Sequence, residues 1–323
     1  MNSSSDTPER TVLVAAPRGF CAGVSYAIEI VNLVIERYGP PVYVRHEIVH
    51  NRYVVEQLRA KGARFVDDLA DVPPGSLLIF SAHGVSPAVR ADADTRRLRV
   101  IDATCPLVTK VHLQALKFAR EGYEIVLIGH RGHVEVEGTL GHAPDRMQLV
   151  ETVEDVAGLR VRDPERLAIV TQTTLSVDDT RAIVDAIRQR FPHVRTQTKD
   201  DICYATQNRQ TAVKELARQS DLIFVLGSPT SSNANRLVEV ANNEGTPARL
   251  IEDAADVDAS ALADARTIGL TAGASTPEAL VADTIARLQG LGFPAVRMLE
   301  TAEEHVTFPL PRELRSDGAI VNS

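Results

Sequence analysis

The sequence predicts an α/β protein of three related units. Each is a small, mainly parallel sheet with flanking helices, and the three are expected to be related by pseudo-three-fold symmetry around a common centre. Three observations predict it. Short apolar runs alternate with stretches whose apolar residues recur with a period near 3.6, the pattern of βαβ units. The only three cysteines among the 323 residues, Cys21, Cys105 and Cys203, each follow an extended run and open a helical one, in TVLVAAPRGFCAGVSYAIEIV, LRVIDATCPLVTKVHLQALKFA and TKDDICYATQNRQTAVKELA. A second marker (two apolar residues, an acid, three residues, then Asp-Val) occurs at Phe65–Val72, Leu149–Val156 and Leu250–Val257. The cysteines step by 84 and 98 residues and the Asp-Val pairs by 84 and 101. Two unrelated markers therefore keep nearly one period, of about 85–100 residues, the size of a domain.

Each unit reads in a common order. The first has a strand at 11–16, Cys21, a helix, a strand at 42–45, the loop His46 to Arg52, a helix, the acidic marker, a strand at 77–80 and the loop Ser81 to Ser86. The second has a strand at 99–101, Cys105, a helix, a strand at 124–128, the loop Gly129 to Gly138, the marker, a strand at 167–170 and the loop Thr171 to Ser176. The third has Cys203, a helix, a strand at 222–226, the loop Gly227 to Arg236, a helix, the marker, a strand at 267–270 and the loop Thr271 to Thr276. The expected boundaries are a disordered extension at 1–10, units at 11–104, 105–202 and 203–289, and a tail at 290–323 in which Phe308-Pro309-Leu310-Pro311 runs extended over the surface. Ligands of open parallel sheets collect beyond the carboxyl ends of the strands. All three cysteines and all six polar loops fall at that end.

Composition bounds the rest. With 44% apolar residues the chain can bury the cores of two or three α/β domains. No apolar run approaches the ~18–20 residues that cross a bilayer, and the polar start lacks the regions of a signal peptide. An odd, low cysteine count argues against a disulfide framework and for a reducing cytoplasm. A net charge of −8 without a basic block makes nucleic acid an unfavourable partner.

A helix start carries unpaired N–H groups and the positive end of the macrodipole, so it favours a thiolate. Any one of these cysteines alone reads as a small buried hydrophobe. Three in one repeated setting read as ligands of a shared metal centre whose remaining position is open to a reactant. The polar loops supply donors but little lysine: His50 and His83 in the first unit, His133, Glu135 and Thr173 in the second, Ser231, Ser232, Asn233 and Ser275 in the third. Singly, the Ser, Thr and Asn residues are explained by helix capping. Together, at equivalent strand ends, they suit a small anion rich in oxygens, such as a diphosphate. No Gly-x-x-x-x-Gly-Lys-Ser/Thr loop and no Gly-x-Gly-x-x-Gly turn points to a nucleotide. Glu135 is the obvious carboxylate among the donors, and a desolvated carboxyl keeps its proton and serves as a general acid.

The segments PRGFCAGV, VRHEIVHNRYVV, FSAHGVS, DATCPLVTKVH, EVEGT, TQTTLS, DDICYAT, SSNANRL and TAGAS resemble those of the 4-hydroxy-3-methylbut-2-enyl diphosphate reductases, the IspH/LytB family, from about residue 11 to Arg315. The resemblance implies one 4Fe–4S cluster per chain at the centre of a three-lobed α/β protein, held by Cys21, Cys105 and Cys203 with one iron open. It implies that His50, His83, His133, Thr173, Ser231, Ser232, Asn233 and Ser275 line the substrate cavity, with Glu135, His133 and Thr173 in proton delivery. The implied reaction removes an allylic hydroxyl with two electrons and two protons, giving isopentenyl and dimethylallyl diphosphate, the terminal step of the non-mevalonate pathway. The implied electron donor is a ferredoxin or flavodoxin. One departure is visible at Pro229, where the family often has a basic or polar residue. Two other readings stay open: a redox-neutral iron–sulfur dehydratase or condensing enzyme, and a non-catalytic sensor of a phosphorylated metabolite. An absolute need for an external reductant separates the first, and turnover separates the second.

Overall fold

The computed structural model describes residues 9–196 and 201–315; the expected disordered extension lies, up to residue 8, outside the described residues, as does the tail beyond 315. The chain opens with β1 (Thr11–Ala16), α1 (Ala22–Tyr38), β2 (Val42–Arg45), α2 (Arg52–Ala60), β3 (Ala63–Val66), β4 (Leu77–Phe80), α3 (Pro87–Thr95) and β5 (Arg99–Asp102). It continues with α4 (Pro106–Arg120), β6 (Glu124–Ile128), α5 (Val134–Leu140), β7 (Met147–Val150), β8 (Leu167–Thr171) and α6 (Val177–Arg190). The last third holds α7 (Tyr204–Ala217), β9 (Leu222–Leu226), α8 (Ser232–Asn243), β10 (Ala248–Ile251), β11 (Thr267–Ala272), α9 (Glu278–Gly290) and β12 (Ala295–Glu300).

These elements form an α/β protein with three small parallel sheets flanked by helices. Two compact units contain them. One takes the residues up to Cys21 together with Tyr204–His305 and carries the sheet β10-β9-β11-β1-β12. The other takes Ala22–Cys203 and the segment from Val306, and carries the sheets β3-β2-β4-β5 and β7-β6-β8.

The repeat is written in the strand order. Each sheet contains the same trio: a marker strand at the edge, the strand before it in sequence at the centre, and the strand after it beyond (β3-β2-β4, β7-β6-β8, β10-β9-β11). The marker itself has a structural cause. Its apolar pair ends the edge strand, and its acids satisfy the N–H groups of the turn that follows. Asp68 accepts from the Ala70 N–H, Asp155 from those of Glu151 and Thr152, and Asp256 from those of Glu252 and Asp253.

The fourth place beside each trio belongs to the segment leading into the next cysteine. β5 occupies it beside β4 and leads to Cys105. A single bridge, Ala168 with Arg195, occupies it beside β8 on the way to Cys203. β1 occupies it beside β11 and leads to Cys21. Sheet membership thus differs from the boundaries read in the sequence: the strand at 11–16, assigned there to the first unit, pairs with strands of the third. TVLVAA is apolar after Thr11 and suits any buried parallel position, so its sequence carries no mark of its neighbours. Residues 295–300, expected to lie in an irregular tail, form β12 on the far side of β1. Most of β12 is exposed, which blunts the alternation that marks a half-buried strand.

Three strands are buried on both faces: every residue of β4, β8 and β9 is buried. Around β9, β11 and β1 the core gathers Val12, Phe224, Leu270, Val281 and Leu288, and around β6 and β8 it gathers Val126, Ile128, Ile169, Ile183 and Ile187. Burying one such side chain contributes about 1.5–3 kcal/mol. α4 shows why a helix follows a cysteine: Pro106 pre-sets the first turn, Val108, Val111, His112, Ala115 and Phe118 line the buried face, and Lys117 and Arg120 close the last turn.

Candidate active site

Three equivalent backbone bonds hold the cysteines. The Cys105 N–H donates to the carbonyl of Ala82 (3.0 Å), that of Cys203 to Thr173 (3.0 Å) and that of Cys21 to Ala274 (3.2 Å). Each acceptor lies two residues beyond the end of the trio's last strand, at Phe80, Thr171 and Ala272. The loops that carry His83, Thr173 and Ser275 are therefore the loops that fix the cysteines. The thiols are half-buried and none is in a disulfide. Among the described residues, no three His, Cys, Asp or Glu side chains gather as a single metal ion would require. A cluster places each thiolate on a different iron, so its ligands need not converge on one point.

In the unit of Ala22–Cys203, loops of both kinds bring three histidines together. The rings of His50 and His83 stack with centroids 4.2 Å apart, and His133 meets them edge-on at 5.4 and 5.9 Å. His50 follows β2 and precedes Asn51, which caps α2 by accepting from the Val54 N–H. His133 follows β6 and caps α5, its Nδ1 accepting from the Glu135 N–H at 3.1 Å. That bond leaves the proton of the neutral ring on Nε2. Burial and the neighbouring His50 push His133 down to about 4 and His83 well below its ordinary range. His83 and His133 thus present uncharged rings at neutral pH.

Glu135 and His133 were expected on a loop spanning 129–138. The structure instead starts a helix at Val134, seven residues long, so Glu135 lies in its first turn. The stretch VEVEGTL is too short for a helical period to show, and its β-branched residues and glycine favour other conformations. Glu135 is 3% exposed. Its Oε1 accepts from the Thr173 N–H at 2.7 Å, and its Oε2 pairs with the Thr173 hydroxyl at 3.0 Å. Desolvation pushes its pKa up to about 7, against the opposing pull of the Thr173 hydrogen bonds. Thr173 thus joins the carboxyl to the Cys203 turn: its carbonyl takes the cysteine N–H while its own N–H and hydroxyl hold Glu135.

The unit of Tyr204–His305 carries the remaining candidates. Ser231 caps α8, accepting from the Ala234 N–H, and Ser232 and Asn233 form its first turn. Asn233 is buried; its Oδ1 accepts from the Ala274 N–H at 2.8 Å, and its Nδ2 faces the Thr206 hydroxyl at 3.4 Å. It ties the start of α8 to the loop of Ser275, the loop whose Ala274 carbonyl holds Cys21. The Pro229 carbonyl accepts from the Asn235 side chain at 2.8 Å, so the departure at this position is built into the turn before α8.

Three residues of this neighbourhood were not singled out in the sequence. Asp201, two positions before Cys203, is buried; its Oδ2 accepts from the Thr171 N–H, Lys110 lies 3.6 Å from its Oδ1, and its charge adds to the upward push on Glu135. Glu47 meets the His50 Nδ1 at 3.0 Å. Gln172 accepts from the His130 N–H and donates to the Thr174 hydroxyl, pinning the loop before His133. An acid two places before a cysteine and the spacing His-Glu-x-x-His were the available signals.

Comparison with known proteins agrees with this architecture. The model of the LytB protein family matches residues 12–289. A protein of an Azoarcus species named 4-hydroxy-3-methylbut-2-enyl diphosphate reductase is 59% identical over 304 residues, covering 94% of this chain and 97% of that one. The structure of the E-1-hydroxy-2-methyl-but-2-enyl-4-diphosphate reductase from Plasmodium falciparum superposes with a TM-score of 0.93 at 43% identity, covering 95% of this chain and 97% of that one. A second solved structure, of an (E)-4-hydroxy-3-methyl-but-2-enyl diphosphate reductase titled the terminal enzyme of the non-mevalonate pathway, gives 0.63 at 31% identity, covering 87% of this chain and 99% of that one.

Proposed function

The chain belongs to the LytB protein family, and we propose that it performs the reaction its relatives are named for. It is an oxidoreductase that removes the allylic hydroxyl of 4-hydroxy-3-methylbut-2-enyl diphosphate. Two electrons and two protons enter; the carbon–oxygen bond breaks, the hydroxyl leaves as water, and the allylic carbon framework takes the second proton as isopentenyl or dimethylallyl diphosphate. The observation that carries this reading is the hydrogen-bonded link from Glu135 through Thr173 to the turn of Cys203. It joins a carboxyl that is protonated near neutrality to a candidate metal ligand.

Cys21, Cys105 and Cys203 would hold a 4Fe–4S cluster, and the donor set fits one: three thiols outside disulfides, each at a helix start, each fixed by the same backbone bond. When bound, such a cluster would supply the electrons and Lewis-acid chemistry for the departing hydroxyl. The chain does the rest. With Glu135 protonated, the bond to Thr173 runs from the carboxyl O–H to the Thr173 Oγ1, which frees the threonine hydroxyl to donate to the leaving oxygen. Proton transfer through this pair is general acid catalysis. His133, with its proton on Nε2, extends the donor chain. The diphosphate is taken by hydrogen-bond donors, for which His50, His83, His133, Thr173, Ser231, Ser232, Asn233 and Ser275 are the candidates; fixing it orients the hydroxyl. The electron donor is a ferredoxin or flavodoxin and the compartment is the cytoplasm. No helix among the described residues is long and apolar enough to cross a membrane.

The test is anaerobic purification followed by iron and sulfide analysis, Mössbauer spectroscopy and turnover with a chemical reductant. The expected result is a four-iron cluster with one distinct iron, turnover that stops without reductant, and poor cluster retention when any one of the three cysteines becomes Ser. Colourless protein containing zinc, or conversion of substrate without reductant, would overturn the reading.

A further inference from the structure

We propose that Arg209 and Glu304 form a clamp that fixes the turn presenting Cys21. The cluster reading supplies the clamp's purpose, but not its geometry. Arg209 lies on α7, the helix that starts at Tyr204, directly after Cys203 in the chain. It is completely buried, at 0% exposure, the largest fully buried side chain among the described residues. A buried guanidinium requires acceptors for its fork of donors and a counter-charge. Both are present. Its Nε and Nη2 donate to the Gly19 carbonyl at 3.2 and 2.8 Å, and its Nη1 donates to the Ala205 carbonyl at 2.9 Å. The Glu304 carboxylate receives Nη1 at 2.9 Å and Nη2 at 3.4 Å, and is itself held by the Asn208 amide at 3.1 Å.

The recipient of the fork is a position where the backbone has little choice. Gly19 has φ +62°, and a Cβ there would stand 3.0 Å from the Thr276 carbonyl oxygen, so the turn admits no larger residue without strain. Its N–H donates to the Ala272 carbonyl at 3.1 Å, and two residues on the Cys21 N–H donates to Ala274 at 3.2 Å. Those two bonds fix the N–H side of the turn; Arg209 fixes its carbonyl side. The Cys105 turn has the matching bonds from Ala103 to Phe80 and from Cys105 to Ala82, but is braced differently, by Asp102 accepting from the Thr104 N–H. The buried guanidinium therefore bonds the Cys21 turn and not the Cys105 turn. Glu304 comes from the segment after β12, so that segment is anchored to the cysteine turn by the same ion pair.

Lysine keeps the charge of Arg209 but cannot form the fork to Gly19. Hydrogen exchange of the full-length, anaerobically purified protein reads the clamp at single amides. Arg209→Lys is expected to speed exchange at the Gly19 and Cys21 amides by about tenfold, the scale of one lost charge-assisted bond, while Cys105 keeps its rate. Chelator-driven iron release should quicken in parallel. Glu304→Asp, which keeps the charge with a shorter reach, should accelerate the same two amides less, and it carries the test should Arg209→Lys fail to fold. Equal acceleration at the Cys21 and Cys105 turns would mean general loosening and overturn the clamp, as would no acceleration at either. Failure of the cluster reading shows separately, as iron-free wild-type protein, and leaves the exchange comparison intact.

Discussion

The two sets of candidate substrate loops differ in whether they can titrate. The loops at 46–51, 81–86 and 129–135 bring together His50, His83 and His133 and carry Glu135; burial keeps His83 and His133 uncharged at neutral pH and raises Glu135 to about 7. The loops at 227–233 and 273–276 offer Ser231, Ser232, Asn233 and Ser275, which carry no proton to gain or lose in that range. Ser231, Ser232, Asn233 and Ser275 are neutral by chemistry, His83 and His133 by desolvation. Only the second kind of neutrality can be undone by pH, so proton chemistry and its pH dependence belong to the histidine–glutamate loops alone.

The largest expected effect breaks that side. Glu135→Gln keeps the size of the side chain and its bonds to Thr173 but has no proton to deliver. Turnover should fall by about 10²–10⁴-fold while cluster content and substrate binding stay near normal. Measured rates close to wild type would move the acid elsewhere, with the diphosphate of the substrate the first place to look.

Next in size is an effect on stability. Glu135 has its pKa raised from 4.5 to about 7, so the folded state holds this proton over a range in which the unfolded state has released it. The sign follows: stability attached to this group is present below pH 4.5 and is lost as pH rises through about 7. The loss amounts to at most about 3 kcal/mol. Glu135→Gln mimics the protonated form permanently. Denaturant unfolding of the metal-free protein at pH 8 should therefore find the variant more stable than wild type, with the gap closing toward pH 5. A pH-independent gap would contradict the assignment.

The smallest effect belongs to the other loops. Ser275→Ala should weaken diphosphate binding by about 1–3 kcal/mol, with no change in the pH profile. Asn233→Ala should cost more, because its Oδ1 also anchors the Ala274 N–H. The two sit on one connected loop and should not add. Calorimetry of the single and double variants at two pH values checks both statements.

The cysteines, the acidic marker and the loops of His83, Thr173 and Ser275 were legible because a three-fold repeat writes them three times, and capping chemistry and strand ends are local. What was not legible depends on distant neighbours. The pairing of β1 with β11 joins residues more than two hundred positions apart, and nothing in TVLVAA encodes it. The burial of Glu135 depends on Thr173, thirty-eight residues on, and its helix is too short to show a period. Asp201 looks like any surface acid until the Thr171 N–H is found against it.

Glu135 keeps its carboxylic proton up to near-neutral pH, and its titration tests that directly. Infrared difference spectra of wild type minus Glu135→Gln, recorded against pH, isolate the carbonyl stretch of this one protonated carboxyl. The account predicts a band that persists at pH 6 and is lost with a midpoint near the value of about 7 that burial gives this group. Loss of the band near 4.5, the group's ordinary value, would contradict it.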